Sequence, residues 1–164
     1  DKAPGARMYT NVGREAETFA RCIVDVYDHL GRFTHITFLQ GNPFDHVSRD
    51  QVMLCIRDTL HTDDAESDVL PLGRLHVSDA MGNPDHPGLP IGAAWTTVLG
   101  GRLPPNDRWT FVAGAQYRVH VDILRQYPKH FWQRLHGFLC DGSICPWTME
   151  RFWLHIFRPN QNLV

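Results

Sequence analysis

The stretch Arg14-Glu-Ala-Glu-Thr-Phe-Ala-Arg-Cys-Ile-Val-Asp-Val-Tyr-Asp-His-Leu30, closed by Gly31 and followed by Thr34-His-Ile-Thr-Phe-Leu39, decides how this chain is read. Its apolar residues Ala16, Phe19, Ala20, Ile23, Val24, Tyr27 and Leu30 are spaced 3, 1, 3, 1, 3 and 3 apart, the stripe of an amphipathic helix. Glu17 and Arg21, four residues apart, are expected as a charge pair on its wet side. Thr34–Leu39 is β-branched and aromatic and too short for a helix, so it reads as a strand. Upstream, Ala6–Thr10 is a second strand candidate running into the turn Asn11-Val12-Gly13. Strand, helix, strand is the pattern of a βαβ unit, and the expected fold class is α/β, a small mostly parallel sheet flanked by helices.

Beyond Leu39 the chain enters Gln40-Gly-Asn-Pro-Phe-Asp-His46, where Gly41 and Pro43 forbid further strand. Ser48-Arg-Asp-Gln51 has the spacing of a capping box and predicts a helix to about Leu60. Residues 61–108 hold six of the 11 prolines and six of the 13 glycines, a loop-rich insertion with short elements expected within 72–77 and 95–99. Trp109–Val112 and Ala115–Val119 read as strands around Gly114, and Val121–Gln126 as a short helix. Pro128 and Pro146 suit the first turns of two more helices. The first would bury Phe131, Trp132, Leu135, Phe138 and Leu139, the second Met149, Phe152, Trp153, Ile156 and Phe157.

At 164 residues, 43% of them hydrophobic, residues 1–164 suit one α/β domain. Lys+Arg 16 against Asp+Glu 18 leaves a net charge of -2, without the basic face a sequence-independent nucleic-acid binder needs. No apolar run reaches the roughly 18–20 residues of a spanning helix. Cys22 and Cys55 fall in expected helices and read as buried thiols; Cys140 and Cys145 bracket a turn and are open to three readings, a disulfide, half of a zinc site, or two thiols. With no Asn-x-Ser/Thr acceptor, this cysteine usage leans toward a reducing compartment.

Chemistry is expected first in the loop after the Thr34–Leu39 strand, because ligands of parallel sheets gather beyond strand carboxyl ends. Gln40, Asn42, Asp45 and His46 crowd polar groups there; the alternative is that Asn42-Pro43 makes a turn and Asp45 or His46 caps the next helix. Asn11 and Arg14 lie at the matching place before the first helix, where free amides can hold an anion, or where Asn11 simply caps. Glu150 has Pro146, Trp147, Trp153 and Leu154 as its helical neighbours, surroundings that raise a carboxyl pKa toward that of a general base. Its alternative is a buried pair with Arg14, Arg118 or Arg151. His61, Asp63, Asp64, Asp85 and His86 lack metal-ligand spacing and read as solvated loop residues.

Four blocks in order carry a family resemblance: Asn11-Val-Gly-Arg-Glu-Ala-Glu-Thr-Phe19; Tyr27-Asp-His-Leu30 with Thr37-Phe-Leu-Gln-Gly-Asn-Pro-Phe-Asp-His46; Gly114-Ala-Gln-Tyr-Arg-Val119 with Pro128-Lys-His-Phe-Trp132; and Pro146-Trp-Thr-Met-Glu-Arg-Phe-Trp-Leu-His-Ile-Phe157. They resemble domain of unknown function 3431, a family of fungi, bacteria and large viruses. That family is in turn similar in block order to glycosyltransferases of the GT-A type. The resemblance implies a GT-A-like sheet, a nucleotide-sugar donor and a hydroxyl acceptor. It places Glu150 as the base, Asn42 and Asp45 at the metal motif, and Gly114-Ala115-Gln116 at the acceptor block; the polar loops at the strand ends add Asn11, Arg14, Gln40 and His46 as expected substrate contacts. Mn²⁺ or Mg²⁺ would be the implied cofactor, but the Asp-x-Asp of those enzymes is replaced by Asn42-Pro-Phe-Asp45, so no metal ligands are assigned. Family members carry a longer lead-in with a further strand, where ten residues precede the first block here. The chain is accordingly expected to be a fragment, or to lack the donor half and depend on a protein partner for it. The rival expectations are a non-catalytic binding or structural subunit, and a metal hydrolase using Asp45, His46, His61 and Asp64.

Overall fold

The computed structural model describes residues 12–61, 68–100 and 108–158. The leading periodicity becomes α1 (Arg14–Val26), continued by a 3-10 segment, Tyr27–Arg32, and then β1 (His35–Phe38). A second 3-10 turn, Pro43–Asp45, precedes α2 (Arg49–His61). The capping box forms: the Gln51 amide donates to Ser48 Oγ and the Ser48 amide to Gln51 Oε1, both at 3.3 Å. Next come β2 (Val69–Pro71), β3 (Leu75–Ser78), β4 (Gly82–Asn83), β5 (His86–Pro87) and α3 (Ile91–Leu99). The chain then runs through β6 (Trp109–Val112), β7 (Tyr117–His120), α4 (Val121–Arg125), α5 (Lys129–Cys140) and α6 (Pro146–Phe157). The strand candidate Ala6–Thr10 lies outside the described residues.

The expected mostly parallel, GT-A-like sheet is overturned. Every strand pair described is antiparallel, in three small sheets ordered β1-β7-β2, β3-β6 and β4-β5. β1 runs against β7 in the register His35↔His120 to Phe38↔Tyr117, and β2 covers the other edge of β7 with Val69 opposite Val119. The error has a physical source. Strand–helix–strand order fixes the sequence of elements but not which strand supplies the hydrogen bonds, and that choice follows burial. Tyr117, Arg118 and Val119 of β7 are all buried, as a central strand requires, whereas His35, Ile36 and Thr37 of β1 are half-exposed, as an edge strand allows. The 61–108 stretch is also more than loop: β2 completes the main sheet, and Ile91, Trp95 and Val98 of α3 join the core.

α6 is the central beam. Beyond the expected stripe of Met149, Phe152, Trp153, Ile156 and Phe157, it also buries Thr148, Arg151, Leu154 and His155, so past its first turn, where Trp147 and Glu150 stay accessible, the helix is enclosed on all sides. It packs on β6, α1 and α3. His155 sits edge-on to Trp95 and Trp109 with ring centroids 6.1 and 5.2 Å away, and burial pushes its imidazole down to about 4. Between β6 and β7, Gly114 (φ 79) and Ala115 (φ 51) take successive left-handed conformations, and the Ala115 amide donates to the Val112 carbonyl at 2.9 Å. That turn carries the chain from one sheet to the other and opens beside the first turn of α6.

Candidate functional site

The first turn of α6, the Gly114 turn, the start of α1, the loop after β1 and the β4–β5 hairpin enclose a cleft of about 330 Å³. Glu150 stands in its wall. The Gly114 amide donates to Glu150 Oε1 at 2.7 Å, and Arg151 Nη1 donates to Glu150 Oε2. Burial raises the carboxyl pKa above its ordinary value, opposed by the Gly114 amide and the Arg151 charge. The expected raised carboxyl and its alternative, an arginine partner, are therefore both realised in one group that still faces the cleft.

Arg151 is the residue around which the wall is assembled. Its side chain is 1% exposed, its guanidinium lies 4.2 Å from the centroid of Phe111, and Nη1 also donates to the Trp147 carbonyl at 2.8 Å. Nη2 reaches Asn83 Oδ1 at 3.4 Å and His86 Nδ1 at 3.3 Å, docking the β4–β5 hairpin onto α6. The hairpin depends on Gly82 (φ 108), where an added Cβ would lie 2.0 Å from the His86 carbonyl oxygen. At the rim, Trp147 is 39% exposed, with Arg14 5.0 Å from its ring centroid and His86 tilted against it at 5.3 Å. Arg14 itself has φ 54, a left-handed backbone uncommon outside glycine, at the edge of the cleft.

Of the expected site residues, Arg14, Gln40, His46 and Glu150 line this cleft. Gln40 and His46 crowd the Gly114 turn so closely that a Cβ there would meet His46 Cδ2 at 2.8 Å and Gln40 Oε1 at 3.0 Å. Asp45 and Asn42 do not line it: both are exposed, and Asn42 Nδ2 donates to Asp45 Oδ1 at 2.9 Å. The placement of these two as a metal motif facing Glu150 is corrected accordingly. Of their alternative, the turn at Asn42-Pro43 forms, as the Pro43–Asp45 3-10 segment, but the cap by Asp45 or His46 does not, because Ser48 caps α2. Gln116 is fully buried behind the wall, its Nε2 donating to the Pro43 carbonyl at 3.1 Å, so it anchors the loop rather than meeting a ligand. Asn11, Asp63 and Asp64 lie outside the described residues, as does the side chain of His61.

Glu15, His76, Asn83, Asp85, His86 and Arg151 complete the polar lining. Asp85 is exposed, as expected of a solvated loop residue, although it lines the cleft; His86, expected to be solvated as well, is half-buried against Arg151. Gly82-Asn-Pro-Asp-His-Pro-Gly88 does announce a tight hairpin, but nothing local says that it closes onto an arginine 65 residues away. Three carboxylates, two guanidiniums and three imidazoles around an aromatic rim make a surface of mixed charge.

The described chain is thus a mixed domain of helices and small antiparallel sheets with one polar, aromatic-edged cleft against α6. Compared with family models, with curated proteins and with solved structures, it has no match. Among the described residues no helix is long and apolar enough to cross a membrane.

Proposed function

We propose that the cleft is the acceptor site of a glycosyl-transfer enzyme, in which Glu150 takes the proton of a sugar hydroxyl. The observation that carries this reading is Glu150 itself, a carboxylate whose pKa is raised by burial, held by two donors and facing a cavity large enough for a monosaccharide. A general base needs that elevation to work near neutral pH, and a second lone pair on each oxygen remains for the incoming O–H. Trp147 offers the apolar face on which a sugar ring stacks, and the mixed charge of the lining suits a neutral polyhydroxyl ligand.

The chemistry is a displacement. The acceptor oxygen forms a bond to the anomeric carbon of a nucleotide-sugar donor, the bond from that carbon to the donor phosphate oxygen breaks, and the acceptor proton passes to Glu150. The leaving diphosphate is negative, and Arg14 with the first-turn amides of α1, whose Gly13 N-cap lends no side-chain hydrogen bond, is the nearest place to receive it.

Transfer assays and calorimetry with a panel of nucleotide sugars, with and without Mn²⁺, test it. Glu150→Asp keeps the Arg151 partner but withdraws the carboxylate, and is expected to lower kcat about 100-fold with little change in KM. A wild-type chain that neither binds nor turns over any member of the panel contradicts it. A second reading, a non-catalytic ligand-binding domain, is favoured by the Arg151 contact to Glu150 Oε2. It predicts saccharide binding without transfer and no dependence on Glu150→Asp beyond affinity.

A further inference from the structure

On the side of α1 that faces α5, away from the cleft, three side chains of different chemistry converge. α1 supplies Glu17, and α5 supplies His136 and Cys140, which one helical turn places on the same face. His136 Nε2 lies 2.6 Å from Glu17 Oε1 and 3.4 Å from Cys140 Sγ, and Sγ lies 4.0 Å from the same carboxylate oxygen. We propose that Glu17, His136 and Cys140 form a binding site for a borderline-soft divalent transition metal of the zinc class.

The geometry distinguishes this from a nucleophilic cysteine triad. A triad needs the carboxylate on one imidazole nitrogen and the thiol on the other. Here both partners are nearest the same nitrogen, Nε2, with Nδ1 at 3.9 Å from the sulfur. Three donor atoms gathered about one point is the arrangement a metal ion requires, and all three lie within 4.8 Å of one another. With zinc bonds of about 2.0–2.3 Å to oxygen, nitrogen and sulfur, the edges of a tetrahedral site are about 3.3–3.6 Å. The three separations straddle that span, so an ion would widen the Glu–His edge and shorten the Cys–Glu edge by a fraction of an ångström.

Charge and access agree. Glu17 is 1% exposed, a carboxylate taken out of water that gains from a cation beside it, and Oε1 is the oxygen on which His136 and Cys140 converge. The Glu17 carboxylate and the Cys140 thiolate, whose proton is released to solvent on binding, set two negative charges beside the dication, so that with Arg21 the cluster carries a net single positive charge. Arg21 Nε, donating to Glu17 Oε1 at 2.9 Å, holds the carboxylate in place. Cys140 is exposed and His136 is 21% exposed, which leaves a fourth position to water. One oxygen, one nitrogen and one thiolate select zinc or cobalt over magnesium or calcium.

The test uses the full chain, reduced and treated with chelator, titrated with Co²⁺ and followed by absorbance. The expected result is one equivalent bound, with visible bands of tetrahedral intensity and a thiolate-to-cobalt band in the near ultraviolet, both removed by competing Zn²⁺. Cys140→Ser abolishes the thiolate band and His136→Ala weakens binding about tenfold or more, while Cys145→Ser changes neither; circular dichroism checks that each variant is folded. No saturable binding, an octahedral spectrum lacking the thiolate band, or a band that survives Cys140→Ser overturns the proposal.

Discussion

Two carboxylates of this protein withdrawn from water, Glu150 at 13% exposure and Glu17 at 1%, each accept from an arginine and from a second donor, yet their surroundings differ. At Glu150 both oxygens are occupied, by a backbone amide and by an arginine that is itself sealed at 1% exposure, and the group faces an aromatic-edged cleft. At Glu17 one oxygen takes Arg21, which is 34% exposed, together with His136, while the other has no hydrogen-bond partner among the described residues and a thiol stands nearby. Burial is common to both. In the roles proposed for them, what separates proton transfer at Glu150 from metal binding at Glu17 is the neighbouring atom set: a fixed donor pair and a cavity in one case, a nitrogen and a sulfur converging on the same oxygen in the other.

The largest effect should come from removing the negative charge at each. Glu150→Gln leaves the Arg151 guanidinium buried without its counterion, a loss of about 3–5 kcal/mol in denaturant unfolding. Glu17→Gln releases an arginine that can reach water and should cost only about 1 kcal/mol. The reverse order breaks the comparison.

Acid should then act through His155, packed among the tryptophans behind Glu150. Its neutral form is favoured in the fold, where burial holds its pKa at about 4, below the ordinary histidine value of about 6.5. The unfolded chain therefore binds the extra proton first as pH falls, so stability is whole above about 6.5 and declines by roughly 3 kcal/mol on reaching pH 4. His155→Phe should flatten that slope in unfolding curves taken across the range. A slope unchanged by the substitution contradicts the assignment.

Gly114→Ala follows. At φ 79, and with a Cβ 2.8 Å from His46, the variant should lose about 1–2 kcal/mol and, by displacing His46 or Gln40, weaken ligand binding in the cleft while leaving the Glu17 cluster untouched. Ser48→Ala, remote in character from both carboxylates, should cost about 1 kcal/mol through loss of the α2 cap and leave binding at both sites unchanged.

Local physics was legible in the residues. The 3, 1, 3, 1 spacing of α1 and α6, the Ser48–Gln51 box and the turn residues around Gly114 state their structure within a few positions, and Glu150 was visible because its helical neighbours are apolar. Pairing was not legible. β1 and β7 are too short for their patterns to name a partner, so the parallel reading rested on element order alone. Glu17 illustrates the same gap: a glutamate four residues before an arginine is the mark of a wet face, and only the arrival of α5, with His136 and Cys140, turns that face inward. The sealed hairpin contact from Asn83 and His86 to Arg151 is likewise a product of tertiary closure.

The central claim, that Glu150 is a basic carboxylate addressing a ligand cavity, is tested most directly by a ¹³C NMR titration of the Glu150 side-chain carboxyl, with and without a saccharide acceptor. The account predicts a midpoint above the ordinary glutamate value of 4.5 and a carboxyl resonance that shifts when the acceptor binds. A midpoint at or below 4.5, with a resonance indifferent to every acceptor, would contradict it.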